Sequence, residues 1–79
     1  WRRRHIDYAA YMVLVQTAAA WRAYGNERYA EYCVQAARSF LHIFFAEDNP
    51  EEIMARNIRE GVNERRAVIA QREALSDDL

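Results

Sequence analysis

The chain has 79 residues, enough for one domain with a modest core, and its 52% hydrophobic content separates it from disordered sequences. Eleven arginines, no lysine and 12 acidic residues give a formal net charge of −1, so bulk charge demands neither nucleic acid nor an anionic membrane. The single cysteine, Cys33, excludes an internal disulfide and a zinc site of paired cysteines. With no signal-peptide pattern, it points to a cytoplasmic setting.

Residues 1–5 are a basic entry. Arg2, Arg3 and Arg4 oppose the helix macrodipole, which favours anions at an N-terminus, so helix 1 is expected over about 6–24 with Asp7 in its first turn. An opening Trp1 and the exclusive use of arginine read as a piece of a longer or an engineered chain, here taken as a single helical domain, 1–79. Within helix 1, residues 8–21 carry no charge, and only Gln16 and Thr17 interrupt the apolar run. Ala, Leu and Met favour helix, and neither Gly nor Pro breaks the segment. A helix apolar on most faces must be covered on most faces, and two companion helices in one chain cover it only in part. A membrane span needs about 20 apolar residues, and Asp7 and Arg22 bracket too short a run, so a membrane partner is disfavoured.

Helix 1 is expected to stop at Gly25, which adopts the left-handed conformation cheaply, and Asn26 is placed to cap the next helix. Helix 2, about 27–46, is amphipathic. Ala30, Cys33, Ala37, Phe40, Leu41 and Phe44 form the core stripe, and Arg28, Glu31, Gln35, Arg38 and His42 the polar one. Tyr29, Tyr32, Ile43 and Phe45 widen the apolar side, and the aromatic end is more apolar than one seam requires. Asn49 before Pro50, with Glu52 three residues on, marks the start of helix 3, about 50–75. Its stripe is Ile53, Met54, Ile58, Val62, Val68, Ile69 and Leu75. Glu52 and Arg56 are placed for an i,i+4 pair, Gly61 marks a close approach or a bend, and residues 76–79 are expected to fray. The predicted fold is all-α: an up-down-up three-helix bundle with helix 1 central. The Gly25-Asn26 hairpin with Ala30 and Ala37 resembles tetratricopeptide and MIT-type helical modules at those positions, while most other positions depart from both patterns.

Chemistry-bearing residues are few. His5 and His42 fall at one end near Glu51 and Glu52, but His42 shares the polar stripe with Arg38 and no metal-binding spacing is present, so no metal ligand is assigned. Cys33 sits on the core stripe as a small apolar residue. With no Ser/His/Asp set, phosphate-binding loop or paired-carboxylate cleft, no catalytic residue and no cofactor is assigned. The expected function is a non-enzymatic protein–protein interaction or assembly module whose partner is another protein chain, a second copy being one candidate. Tyr11, Val15, Trp21, Phe40, Phe44 and Phe45 are the candidate contact residues. Two other readings are open. One is a bundle holding a flat apolar ligand in an alanine-lined cavity. The other is nucleic-acid binding through Arg2, Arg3 and Arg4, disfavoured because helix 3 interleaves arginine with glutamate and the acidic turn 47–52 can neutralise the basic entry.

Overall fold

The computed structural model describes residues 2–77, without the side chain of Arg2. The described chain is all-helical: α1 (Arg2–Ala23), α2 (Glu27–Arg38), a short 3-10 turn (Leu41–Phe44) and α3 (Pro50–Asp77), with no strand.

α1 starts earlier than the expected 6–24. Arginine is a good helix former, and its conflict with the macrodipole costs at most about 1 kcal/mol per charge at the surface. Arg4 gains local partners in return. Its guanidinium carbon lies 4.5 Å from the Phe45 ring centroid, and its Nη2 donates a long 3.5 Å hydrogen bond to the Ile43 carbonyl. At the other end the chain turns as its glycine dictates. Gly25 has φ +88°, its N–H donates to the Arg22 carbonyl, and the Asn26 N–H donates to the Trp21 carbonyl. This is a Schellman motif, which satisfies carbonyls the helix end leaves open. Asn26 Oδ1 then accepts from the Tyr29 N–H at 3.1 Å, capping α2.

α2 is shorter than the expected 27–46, and Ser39 is the reason. Its hydroxyl donates to the Ala36 carbonyl at 2.6 Å, its backbone N–H reaches the same oxygen, and the Phe40 N–H reaches Ala37. These i→i−3 bonds tighten the coil. The aromatic run beyond it leaves the α2 axis, so its stripe is rotated. Ile43 becomes the buried residue, while Phe40, Leu41 and Phe44 pack beside the core half-buried. Val34, outside the expected stripe, is buried with Ala30 and Ala37, and Cys33 is only half-buried.

α3 opens as its cap requires, with Asn49 Oδ1 accepting from the Glu52 N–H at 3.2 Å. It stays helical to Asp77, past the point where fraying was expected, and residues 78–79 lie outside the described chain. Its buried stripe is Met54, Ile58, Gly61 and Val62, whereas Val68 and Leu75 are exposed. Arg22 pairs with Glu27 and Glu31, Arg38 pairs with Glu51, and His42 Nε2 lies 3.2 Å from the Asp7 carboxylate; the expected Glu52–Arg56 pair does not close.

The core is built on α1, which packs against both other helices while those two meet only marginally. Tyr11, Val15, Ala18 and Ala19 of α1 are fully enclosed by Val34, Ala37, Ile43, Met54, Ile58 and Val62. Partners along α1 rise in number along α3, from Tyr11–Asn57 to Gln16–Arg65, and fall from His42 in the 3-10 turn, beside Asp7, to Tyr29 on α2, beside Trp21. Gly61 allows the tightest approach. A Cβ built there would lie 2.9 Å from the Ala19 Cβ, closer than real methyl groups come. Glycine therefore stands mid-helix because α1 and α3 nearly touch, despite an intrinsic cost of about 1 kcal/mol relative to alanine.

Gly61→Ala is expected to lower stability in urea unfolding by roughly 1 kcal/mol, because overpacking of about 1–3 kcal/mol outweighs the propensity gain. Adding Ala19→Gly returns the methyl-for-hydrogen contact from the other side, and the double variant is expected to be more stable than Gly61→Ala alone. A more stable Gly61→Ala protein would contradict the close contact.

Candidate functional site

At about 100° per residue, the buried positions of α1 fix which side of the helix faces outward. Ile6, Val13 and Tyr24 lie opposite Tyr11, Val15, Ala18 and Ala19, and they are 67%, 64% and 69% exposed. Between them along the same side come Ala9, Ala10, Thr17 and Ala20. The Thr17 hydroxyl donates to the Val13 carbonyl at 2.7 Å, so its polar atom is satisfied within the helix and its methyl remains. No charged residue falls on this side from Ile6 to Tyr24. Trp21 extends the surface toward α2: it is 40% exposed and packs edge-on to Tyr29 with ring centroids 5.0 Å apart, and Tyr32 follows Tyr29 at 6.3 Å. Charge avoidance along one side, with aromatics at its edge, is the composition found at contact surfaces.

A second feature lies where the start of α1 meets the 3-10 turn. Arg4, His5, Tyr8, Ile43, Phe44, Ala46 and Glu47 line an open groove of about 760 Å³. Phe44 stands edge-on to Tyr11 at 5.1 Å and to Tyr8 at 6.5 Å, forming an aromatic floor. A smaller hollow of about 340 Å³ lies beside it, between Arg3, Arg4, Asp7, His42, Ile43 and Phe45. His42 does not share the α2 polar stripe with Arg38, because α2 has ended. Its Nε2 instead lies 3.2 Å from the Asp7 carboxylate on α1.

The residues expected to form contacts separate into two groups. Tyr11 and Val15 are 0% exposed, so they belong to the core and cannot meet a partner directly. Trp21 and Phe45 are accessible, Phe45 at 74%, while Phe40 and Phe44 are half-buried at the base of the aromatic end. Ile6, Val13 and Tyr24, the most exposed apolar residues of the outward side, were not among the expected contacts. Their spacing of seven and eleven residues was a readable signal, but an uncharged helix does not reveal which of its sides is inward.

Of the arginines expected to contact phosphate, Arg3 and Arg4 are exposed, and the Arg2 side chain lies outside the described residues. The acidic turn is reached instead by Arg38, whose Nε donates to Glu51 at 2.7 Å. That pairing holds Arg38 more firmly protonated and supplants the expected neutralisation by the basic entry. Among the described residues no three His, Cys, Asp or Glu side chains converge, and no helix is long and apolar enough to cross a membrane. Ala18, Ala19, Ala30 and Ala37 are fully buried in the bundle rather than lining the large groove, whose one alanine is Ala46.

Tyr11 is the group whose chemistry burial alters most. Asn57 Nδ2 donates to its hydroxyl at 2.9 Å across the α1–α3 seam. Desolvation pushes the phenol above its ordinary 10.0, the Asn57 bond opposes this, and neighbouring Tyr8 adds to it. Comparison with known proteins finds no match for this chain among protein-family models, curated proteins or solved structures.

The raised Tyr11 pKa makes folding favour the neutral phenol. Its contribution is complete below the unfolded value near 10 and is lost as pH rises through the higher folded value. With no lysine in the chain, no ammonium titrates in that window. Unfolding titrations above pH 10 are expected to show a fall in stability that Tyr11→Phe reduces. A fall of equal size in Tyr11→Phe would contradict the assignment.

Proposed function

We propose that this chain is a non-enzymatic helical interaction module, an up-down-up bundle with α1 between its two companions, which assembles with another protein chain through the outward side of α1. The observation that carries the reading is the uncharged side from Ile6 to Tyr24. It is bordered by Trp21, Tyr29 and Tyr32 and left open by α2 and α3. Small bundles generally give that side charged residues. Burying a Val, Leu or Ile side chain stabilises by about 1.5–3 kcal/mol, so partner association recovers a driving force that folding leaves unused here. Trp21 supplies a rigid aromatic anchor at the edge of this surface, and Phe45, 74% exposed, is a separate accessible aromatic beside Arg4, with Phe40 and Phe44 packed against the core.

A second reading draws on the groove beside Arg4. Its walls of Tyr8, Phe44 and Ile43, lined also by Arg4, His5 and Glu47, suit a flat, mostly apolar molecule with a polar edge. It ranks below the first because the groove is open and its polar atoms do not converge. Nucleic-acid binding ranks lower still, since Arg4 already stacks on Phe45 and the net charge is −1.

Sedimentation velocity across a concentration series tests the assembly reading. The wild-type chain is expected to sediment as more than a monomer at high concentration. Val13→Glu is expected to remain monomeric with unchanged helicity and with the thermal stability of the dilute, monomeric wild type, because Val13 lies outside the chain's own core. A wild-type chain that stays monomeric and binds no apolar dye would contradict the reading.

A further inference from the structure

The outward side of α1 carries a row of residues whose spacing a second copy of the helix can match. Ile6, Ala10, Val13, Thr17, Ala20 and Tyr24 succeed one another at steps of 4, 3, 4, 3 and 4, which read the same in either direction. Alternating steps of three and four form the seam of a two-helix coiled coil. Because the series is symmetric, an antiparallel copy meets it in register. Ile6 then faces Tyr24, Ala10 faces Ala20, and Val13 faces Thr17, each pair occurring twice about a two-fold axis. A two-fold interface requires this reciprocity. The alanine pairs flanking the centre allow close approach, and the largest side chains meet at the two ends.

Charge favours the same direction. A parallel pair would set the exposed Arg3 and Arg4 of one copy against those of the other, with like helix dipole ends together. An antiparallel pair brings them to the tip beyond Tyr24, where the Glu27 side chain is still 67% exposed while it pairs with Arg22. The area also suffices. Aromatic side chains bury about 150–250 Å² each. With Trp21, Tyr24, Tyr29 and Tyr32 partly exposed and Ile6 and Val13 beside them, each copy offers on the order of 600 Å², so two copies reach about 1,200 Å², where specific interfaces begin.

We infer that the occupant of the α1 face is a second copy of this chain, packed antiparallel with Ala10 of each copy opposite Ala20 of the other. The inference rests on the assembly reading above and adds partner, direction and register to it.

Two single-cysteine chains, Ala10→Cys and Ala20→Cys, each in a Cys33→Ser background, test it. They are mixed, oxidised mildly and analysed by mass, with sedimentation run in parallel. The expected result is a mixed 10–20 disulfide several-fold more abundant than either 10–10 or 20–20, since in this register two 10 positions lie about 15 Å apart along the helix. Dominant 10–10 and 20–20 products would overturn the antiparallel register in favour of a parallel one. A sedimenting dimer with no cross-link would overturn the α1 face while leaving assembly through another surface standing. A monomer by sedimentation would overturn this inference, and a monomer that also binds no apolar dye would overturn the assembly reading with it; binding of the monomer to neutral phosphatidylcholine vesicles would reassign the face to lipid. Circular dichroism of each cysteine chain, matched to wild type, keeps a folding failure from passing for any of these outcomes.

Discussion

Ala19 and Gly61 meet where α1 crosses α3, and the position of every other side chain on α1 depends on that contact. With no methyl on Gly61, the two helices approach to the limit of van der Waals contact. The rotation of α1 is then set: Tyr11, Val15 and Ala18 turn inward with Ala19, and Ile6, Val13 and Tyr24 turn outward. Two polar links flank the crossing on the same seam. Asn57 bonds Tyr11 on one side, and Arg65 bonds Gln16 at 2.8 Å on the other. A rotation that hid Ile6 and Val13 would open the Ala19–Gly61 contact and strand both links, leaving a desolvated phenol without its donor. The exposed side of α1 is thus a consequence of how its inner side packs.

The two ends of the bundle are held differently from its middle. At the turn between α1 and α2, backbone hydrogen bonds and the Asn26 cap determine the path, with Arg22 and Glu27 paired over it. At the opposite end the connection is a 3-10 turn, tied to α1 by His42 to Asp7 and by Arg4 over Phe45. These are exposed contacts, which contribute little each and weaken with salt. The grooves beside Arg4 are thus edged by exposed contacts over a turn that Ile43 and Phe44 anchor to the core, whereas the outward side of α1 rests on the crossing with α3. A surface built on a rigid helix recognises a partner at less cost in ordering than one built on such a turn.

Much of the fold was legible because its signals are local. Gly25, Asn26, Asn49 and Pro50 each act within a few residues, and both turns and both caps formed as those residues require. The end of α2 was not legible. Ser39 falls inside the expected helix 27–46, and nothing local in the sequence marks its bond to Ala36 as a stop; the aromatics after it turn toward the core instead. The same cause hid the burial of Ile43 and the pairing of His42 with Asp7. Tyr11 and Val15 were expected outside and lie inside for a different reason. A charged side tells the reader which way a helix faces, and residues 8–21 have none. The excess of apolar surface could be read from the sequence, but its location required the partner residue Gly61.

The uncovered side of α1 is the feature on which the functional reading rests: the proposal is that a partner chain shelters it in solution. Hydroxyl-radical footprinting of Ile6, Val13 and Tyr24 at low and high protein concentration tests this most directly. Sheltering by association predicts that oxidation of these three falls as concentration rises, while that of exposed Val68 and Leu75 on α3 stays constant. Equal oxidation of all five at every concentration, with the helices intact, would contradict it.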